Sequence, residues 1–194
     1  MPNTTGFDLT QENVPVFNIR SLQPAVYPNE PRFFYFDMIN RGWEIEANAL
    51  VTPSFELVGN FTRMQMRDTY GAPMLMVPDE AGAVFVKYTI REGRWKGLGV
   101  SFGADYLSRQ PGPSTGDLRD ELPFTVAGVR NQPSFYLAPR TIVQAGASYA
   151  CERWKLAVVV QNLANEDYIR AASSRYGMEP GEPRNYSATL ELRW

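Results

Sequence analysis

Apolar and polar residues alternate with a period of two along most of this sequence. Because successive side chains of a β-strand point to opposite faces of a sheet, this period predicts strands with one apolar and one polar face. The last ten residues, NYSATLELRW, are the most regular: every second residue from Tyr186 to Trp194 is apolar, and the residues between them are polar. Apolar residues at helical spacing form no comparably long stretch. The chain is therefore predicted to be all-β.

About eight strands follow from the pattern, although the ends of the first two are poorly defined. Turn-forming Pro, Gly, Asn and Asp separate them, which favours an antiparallel arrangement of neighbours. The segments are GFDLTQEN, PRFFYFDMIN continuing into GWEIEANALV, SFELVGNFT, AVFVKYTI, LGVSFGADY, TIVQAGASY, WKLAVVVQN and NYSATLELRW.

The connections between these strands are alternately short and long. The short ones read TP, REGRWKG and ACER. Because neighbouring antiparallel strands run in opposite directions, strict alternation places every short turn at one end of the sheet and every long loop at the other. The long connections cover roughly residues 12–32, 67–82, 107–140 and 162–184.

Two architectures produce an alternating all-β chain. A transmembrane up-and-down β-barrel has short periplasmic turns, long extracellular loops and an aromatic girdle at each membrane interface. A soluble lipocalin-like barrel has its apolar face inside, and alternation alone does not say which face is outside. The loop asymmetry favours the transmembrane barrel, since long irregular loops are uncommon in compact soluble domains. Candidate girdle residues are Trp43 and Tyr106 near the loop ends and Phe55, Tyr149, Trp154 and Trp194 near the turn ends.

Composition argues against several function classes. The net charge of −2 provides no basic field for nucleic acid. The chain has no histidine and one cysteine, Cys151, so the usual zinc sites, a histidine general base and an internal disulfide are not available. Glu44 and Glu46 share the polar face of one strand, where charge is ordinary in a hydrated lumen. We expect no enzyme activity, no cofactor and no metal ligands.

Four stretches resemble the successive C-terminal barrel strands of TonB-dependent receptors, in particular the ferric-siderophore receptor group. The resemblance covers about residues 5–194, and it rests on the order and spacing of the motifs. Residues 162–165 read Asn-Leu-Ala-Asn where the family commonly has Asn-Leu-Phe-Asp, and the chain ends in Trp194 where the family usually has Phe. The matching stretches are RGWEIEANALVTPSFELVGNFT, WKGLGVSFGADYLSRQPG, RWKLAVVVQNLANEDYI and GEPRNYSATLELRW.

The resemblance implies a larger barrel of about twenty-two strands around a plug. Residues 1–194 are then expected to be the C-terminal part of the β-barrel, without the plug domain and the N-terminal strands. The first residues lack the basic and apolar regions of a signal peptide, as expected for part of a longer precursor. The alternative is an independent eight-stranded barrel, either a structural outer-membrane protein or a lipocalin-like ligand-binding protein.

By the same resemblance, the function is TonB-dependent uptake of a metal chelate, most simply a ferric siderophore, across the outer membrane of a Gram-negative bacterium. The implied partners are the chelate, outer-membrane lipid, the barrel-assembly machinery, and TonB through the missing N-terminal region. Arginine suits carboxylate and catecholate oxygens, and tyrosine offers stacking and a hydroxyl. Candidate ligand-binding residues in the long loops are Arg109, Arg119, Arg130, Tyr136, Arg175 and Tyr176.

The terminal strand resembles the family's signal for the barrel-assembly machinery, which combines alternating apolar residues with a final aromatic. Such an edge strand can be captured by β-augmentation, with the alternate side chains giving specificity. The residues predicted to form this signal are Tyr186, Ala188, Leu190, Leu192 and Trp194.

Overall fold

A single large antiparallel sheet organises the chain. The computed structural model describes residues 2–17, 19–22, 24–25, 28–29, 31–69, 71–112, 133, 135–173 and 176–192. The strands are β1 (Pro2–Phe17), β2 (Phe33–Thr52), β3 (Phe55–Asp68), β4 (Glu80–Thr89), β5 (Leu98–Leu107), β6 (Gln110–Pro111), β7 (Tyr136–Leu137), β8 (Arg140–Ala150), β9 (Trp154–Gln161), β10 (Ile169–Ala172), β11 (Met178–Pro180) and β12 (Asn185–Leu192), with one 3-10 turn at Ile19–Leu22.

Eight of these strands form the large sheet in the order β1-β2-β3-β4-β5-β8-β9-β12. Each strand pairs antiparallel with the next, so the predicted all-β up-and-down fold is confirmed. Two short ladders, β6–β7 and β10–β11, lie inside connections for which only irregular loops were predicted. In the described part of the chain, no helix has the length and hydropathy needed to cross a bilayer.

The register joins the apolar alternate residues of neighbouring strands into one face. Val86 lies opposite Phe102, which in turn lies opposite Ala145. The same row continues through Val160 to Tyr186 on the last strand. Because directly opposite residues of an antiparallel pair share a face, these rows make a continuous apolar surface from β2 to β12.

The other face of the sheet is mainly polar and is built from small side chains. Glu46 lies opposite Asn60, and Lys87 lies opposite Ser101, which lies opposite Gly146. The small residues of β5 and β8 leave room above the sheet, as a hydrated lumen requires.

Short and long connections alternate as predicted. The short turns join Thr52 to Phe55, Thr89 to Leu98, and Ala150 to Trp154. The predicted loop boundary at residue 12 is wrong, because β1 continues past a bulge between Gln11 and Val14 to pair Phe17 with Phe33. Pro15 hides this continuation in the sequence, yet proline is tolerated on an edge strand such as β1.

Charged pairs mark the loop-side border of the apolar face. Trp43 is the tryptophan of that face on β2, and β2 continues well beyond it towards the loop end, with Arg41, Ile39, Tyr35 and Phe33 on the same face. On the row beyond it, Arg41 Nε lies 3.0 Å from a carboxylate oxygen of Asp8. On the row of Trp43 itself, Arg63 lies 3.5 Å from Glu80. This sequence of apolar belt, tryptophan and ion pairs is typical of a membrane–water interface.

Aromatic side chains also border the apolar face at its turn end. The rings of Tyr149 and Trp154 lie 5.5 Å apart across a short turn. Phe55 begins β3, and Tyr88 lies directly opposite it near the end of β4. Two aromatic borders therefore flank the apolar face, one on each side.

The sheet is open. β1 and β12 are its two edges, so the eight strands do not close on each other into a small barrel. Each edge strand carries backbone hydrogen-bonding groups along one side, and the hydrocarbon region of a bilayer tolerates such edges only when they pair with further strands.

Candidate functional site

The long loops are tied together where they leave the sheet. The connection between β5 and β8 folds back as the β6–β7 ladder, with Gln110 opposite Leu137 and Pro111 opposite Tyr136. The carbonyl of Pro111 accepts a hydrogen bond of 2.7 Å from the backbone N–H of Met76, which belongs to the preceding long loop. The bases of two sequence-distant loops are thereby joined.

Arg109 and Tyr136, two of the predicted ligand-binding residues, meet at this ladder. The guanidinium carbon of Arg109 lies 4.8 Å from the centre of the Tyr136 ring. Both residues are exposed, with about half of Tyr136 accessible. A cation above an aromatic face is held by the ring quadrupole, so the pair presents positive charge and an aromatic edge at a defined place.

Arg140 connects the loops to one another at the start of β8. Its Nη1 donates a hydrogen bond of 2.8 Å to the carbonyl of Ile169, and another of 3.4 Å to Gln110 Oε1. Its guanidinium also lies 5.2 Å from the centre of the Tyr168 ring. Gln110 Nε2 donates in turn to the carbonyl of Met76 at 3.0 Å. Three long loops therefore share one half-buried network.

Asn162 closes the last long loop. It is almost completely buried, and its Nδ2 donates to the carbonyls of Glu166 at 2.9 Å and Glu182 at 3.0 Å. Its Oδ1 accepts a hydrogen bond of 2.8 Å from the backbone N–H of Glu166. Asn162 also has a positive φ of 48°, a conformation that asparagine tolerates better than most residues. The departure from the family pattern at 162–165 thus leaves the residue that organises this loop in place.

The tip of the same loop presents Tyr176. Its side chain is 81% exposed beside the β10–β11 ladder. On the ladder, Arg170 pairs with Glu179, and the hydrogen bond and charge of that carboxylate raise the pKa of the Arg170 guanidinium above its usual value. The positive charge of Arg170 is therefore balanced by the carboxylate of Glu179, whereas Arg109 lies against an uncharged ring.

A small polar cavity of about 180 Å³ lies beneath this loop on the polar face of the sheet. Sequence reasoning did not single out its residues, because they come from β5, β8, β9, β12 and the last long loop. Several of them could have been found in the sequence, because they occupy alternate positions on the polar face of their strands and lie near the loop ends. The cavity is lined by Asp105, Ile142, Gln144, Gln161, Asn162, Tyr168, Glu182 and Asn185.

A larger hollow of about 970 Å³ lies at the opposite, turn end of the sheet. It is rich in cations from the second and third short turns and contains none of the predicted ligand residues. Its charged lining residues are Glu56, Lys87, Arg91, Arg94, Lys96, Glu152 and Arg153. Within the described ranges, no group of three or more His, Cys, Asp or Glu residues is placed to hold a metal ion.

The predicted site residues are therefore only partly located. The structure brings Arg109 and Tyr136 together and places Tyr176 at a separate loop tip. Arg119, Arg130 and Arg175 lie outside the described residues, as does Trp194. The other predicted assembly residues lie on the apolar face of β12, at the edge of the sheet: Tyr186, Ala188, Leu190 and Leu192.

The fold and its loop asymmetry define a segment of a transmembrane β-barrel. Residues 3–163 match the family model described as "TonB dependent receptor-like, beta-barrel". The chain belongs to this family, and the resemblance read from its strand motifs is confirmed.

Two relatives show the range of the family. The ferrichrome outer membrane transporter/phage receptor of Escherichia coli K12 is 27% identical over 192 residues, which cover 92% of this chain and 23% of that protein. The metal-pseudopaline receptor CntO of Pseudomonas aeruginosa is 24% identical over 162 residues, covering 80% of this chain and 21% of that protein. This chain thus spans between a fifth and a quarter of the length of these relatives.

Solved structures agree on the fold. The ferripyoverdine receptor of the outer membrane of Pseudomonas aeruginosa aligns with a TM-score of 0.77 at 18% identity, over 97% of this chain and 24% of that one. The ferric-catecholate import receptor Fiu of E. coli K12 aligns with a TM-score of 0.72, also at 18% identity, over 98% of this chain and 25% of that one. The predicted outer-membrane location is confirmed by the family and these relatives.

Proposed function

We propose that this chain is the C-terminal strand-and-loop portion of an outer-membrane receptor that imports a metal chelate with energy delivered through TonB. A ferric siderophore is the substrate class that fits best. The observation that carries the proposal is the family match over residues 3–163, on a sheet whose long loops all lie at one end.

Uptake requires a ligand site facing the outside and a hydrated path through the barrel. The loop network around Arg140 holds three long loops in fixed relation, and the polar face of the sheet runs below it. The plug that fills such a lumen would come from a part of the receptor outside this chain. The open edges of β1 and β12 fit this arrangement, because further strands would pair with them.

The loop residues supply the contacts to the chelate. Arg109 attracts carboxylate or catecholate oxygens, while Tyr136 and Tyr176 offer aromatic faces and hydroxyls. We assign the same role to Arg119, Arg130 and Arg175 from their positions in the sequence. The family consists of receptors and transporters, and we propose binding and gated passage here without chemical change to the substrate.

The remaining partners follow from the same proposal. The apolar face from β2 to β12 would contact outer-membrane lipid. The barrel-assembly machinery would recognise the terminal strand β12 and Trp194. TonB would engage the N-terminal region of the receptor, which is not part of this chain.

The test is uptake in the native host. The segment encoding residues 33–192 is deleted in frame, and cellular accumulation of ⁵⁵Fe is measured with ferrichrome, ferripyoverdine and a ferric catecholate as separate probes. The proposal expects accumulation from at least one chelate to fall to the level of a strain without TonB.

Two controls sharpen this test. A strain lacking TonB must lose the same uptake, and a plasmid copy of the intact gene must restore it. Accumulation of all three chelates at parental levels in the deletion strain would contradict a ferric-siderophore function and leave other metal chelates to be tried with ⁶³Ni and ⁵⁷Co.

A further inference from the structure

The groups proposed to contact the chelate lie on two different loops. Arg109 and Tyr136 meet at the β6–β7 ladder, whereas Tyr176 lies beside the β10–β11 ladder in the last long loop. The whole of β8 and β9 separates the two loops along the chain. One ligand can therefore contact both groups reliably only when the two loops keep a fixed relation.

Gln110 fixes the first group at its base. It follows Arg109 directly, lies opposite Leu137 on the ladder and is only 7% exposed. Its Nε2 donates a hydrogen bond of 3.0 Å to the carbonyl of Met76, and its Oε1 accepts one of 3.4 Å from Arg140 Nη1. Both ends of this side-chain amide are therefore occupied, and Arg140 holds one of them.

The last long loop is held by the same guanidinium. Nη1 of Arg140 donates a hydrogen bond of 2.8 Å to the carbonyl of Ile169, and Nη2 donates one of 3.3 Å to the carbonyl of Arg170. The guanidinium carbon lies 5.2 Å from the centre of the Tyr168 ring, and this ring packs so closely against Gly181 that a Cβ atom there would overlap it. These contacts lie on both limbs of the loop, so Arg140 holds it at its base.

Arg140 itself stands on the polar face of the sheet. It begins β8, where it lies opposite Leu107 at the end of β5. Because every second residue of a strand shares a face, Arg140 follows Ile142 and Gln144 towards the loop end, and both of these line the small polar cavity. The two loops are therefore fastened to the sheet as well as to each other.

An ordinary structural arginine would pair with a carboxylate or fasten a single loop. Arg63, Arg67 and Arg170 each form an ion pair, whereas Arg140 forms none with any carboxylate that the structure describes. Its donors reach three oxygens on two connections, and a planar guanidinium presents its donors in fixed directions. Displacement of either connection costs the arginine part of its contacts, which links the position of one loop to that of the other.

We propose that Arg140 is a positioning residue of the chelate site, which couples the Arg109–Tyr136 pair to the loop of Tyr176 so that one ligand meets both. The inference rests on the proposed function for the identity of the ligand, and on the contacts of Arg140 for the coupling of the loops. Contacts that are held together before the ligand arrives lose less freedom on binding, so this coupling raises affinity.

The coupling is tested first without a ligand, by hydrogen–deuterium exchange of the detergent-purified receptor that contains this chain. The amides of Met76, Gly112 and Gly181 report on three loops, because they donate to backbone carbonyls at 2.7, 2.7 and 2.8 Å. Arg140→Gln is expected to speed exchange about tenfold in peptides covering all three amides, while peptides from β4 and β9 stay at the parental rate.

Two further variants separate geometry from charge and from local stability. Arg140→Lys keeps the charge but loses the planar fork, so it should resemble Arg140→Gln. Arg170→Gln removes the ion pair with Glu179 inside the β10–β11 ladder, so it should speed exchange in the last loop alone. The proposal is overturned by exchange that rises in only one loop or in none in Arg140→Gln, or by parental exchange in Arg140→Lys.

The role in binding is tested with the chelate that the uptake assay identifies. Arg140→Gln should weaken its affinity about tenfold, because the contacts are no longer preorganised. In that background, the separate effects of Arg109→Gln and Tyr176→Ala should each shrink to about twofold or less, since neighbouring contacts that act as a unit are not additive. A merely structural role would lower the amount of folded receptor and leave the affinity of the folded fraction unchanged.

The two proposals fail in different ways. Parental affinity in Arg140→Gln, or full additivity of the substitutions, would contradict the positioning role while the proposed function stands. Absence of uptake for every chelate would refute the proposed function, and the exchange experiment would still decide whether Arg140 couples the loops.

Discussion

Nδ2 of Asn162 donates a hydrogen bond of 3.0 Å to the carbonyl of Glu182, across twenty residues of chain. The first residue after β9 thus holds the segment that leads into β12. Nearby, Gly181 lies so close to the Tyr168 ring that a Cβ atom there would overlap it. The last long loop is therefore closed at its base by buried contacts, while its tip remains exposed.

Replacing Asn162 by alanine should loosen this loop. The change leaves two backbone carbonyls and one N–H without their partner in a half-buried place, at a cost of about 1–3 kcal/mol. We expect a lower guanidinium midpoint for the detergent-purified receptor that contains this chain, and faster chymotrypsin cleavage at Tyr176. Asn60→Ala is the control, since exposed Asn60 makes one side-chain hydrogen bond to Ala83. Equal effects of the two substitutions would contradict this role for Asn162.

The two glycines of the second short turn should respond differently to alanine. Both have positive φ, 78° at Gly93 and 91° at Gly97. A Cβ at Gly93 meets nothing within 4 Å, whereas one at Gly97 would overlap the carbonyl of Ala150, the last residue of β8. We expect Gly93→Ala to cost about 1–2 kcal/mol, the penalty of the left-handed conformation alone. Gly97→Ala should cost clearly more, measured by unfolding in the same detergent.

The assignment of faces can be tested on β9 with adjacent valines. Val158 lies opposite Ala147 and Ala188 on the apolar face, and Val159 lies on the polar face opposite Gly146 and Ser187. Arginine on the lipid side near the middle of a bilayer costs about 2–4 kcal/mol. Val158→Arg should therefore reduce heat-modifiable folded protein in the outer membrane, and Val159→Arg should reduce it much less. The reverse order would place the apolar face inside.

Removal of the terminal aromatic should impair assembly. Trp194→Ala is expected to lower the amount of folded protein in the outer membrane several-fold, because we propose that the assembly machinery recognises the terminal strand through its alternate apolar side chains. Glu191→Ala, on the opposite face of β12, is the control. Folded protein at the parental level in Trp194→Ala, measured by heat-modifiable migration, would show that recognition does not use this residue.

Loss of charge at Arg109 should weaken binding of an anionic ferric chelate. Arg109→Gln removes the cation held above Tyr136. We expect the affinity for the chelate to fall roughly three- to tenfold at low salt, and the difference between variant and parent to shrink at high salt. Titration of the receptor with the chelate identified by the uptake assay measures it. Arg91→Gln, at the turn end of the sheet, is the matched control and should leave affinity unchanged.

Much of the fold was predictable because it depends on local periodicity. Alternation along GWEIEANALV or LGVSFGADY specifies strand and face together, and a shift of one residue would turn every apolar side chain towards the wrong side. The extension of β1 to Phe17 was missed, since Pro15 looks like a strand end until the strand is known to lie at an edge. The β6–β7 and β10–β11 ladders were missed because strands of two to four residues carry no detectable period.

The candidate loop site was likewise only partly predictable from the sequence. The sequence by itself determined the antiparallel strands, their two faces, the end at which the long loops lie and the family. Only the tertiary structure decided that Arg109 stacks on Tyr136 and that Arg140 joins three loops. The physical reason is separation along the chain. The strand period arises from residues that are neighbours in sequence, whereas these contacts join residues up to about thirty positions apart. Sheet register and loop closure together determine such contacts.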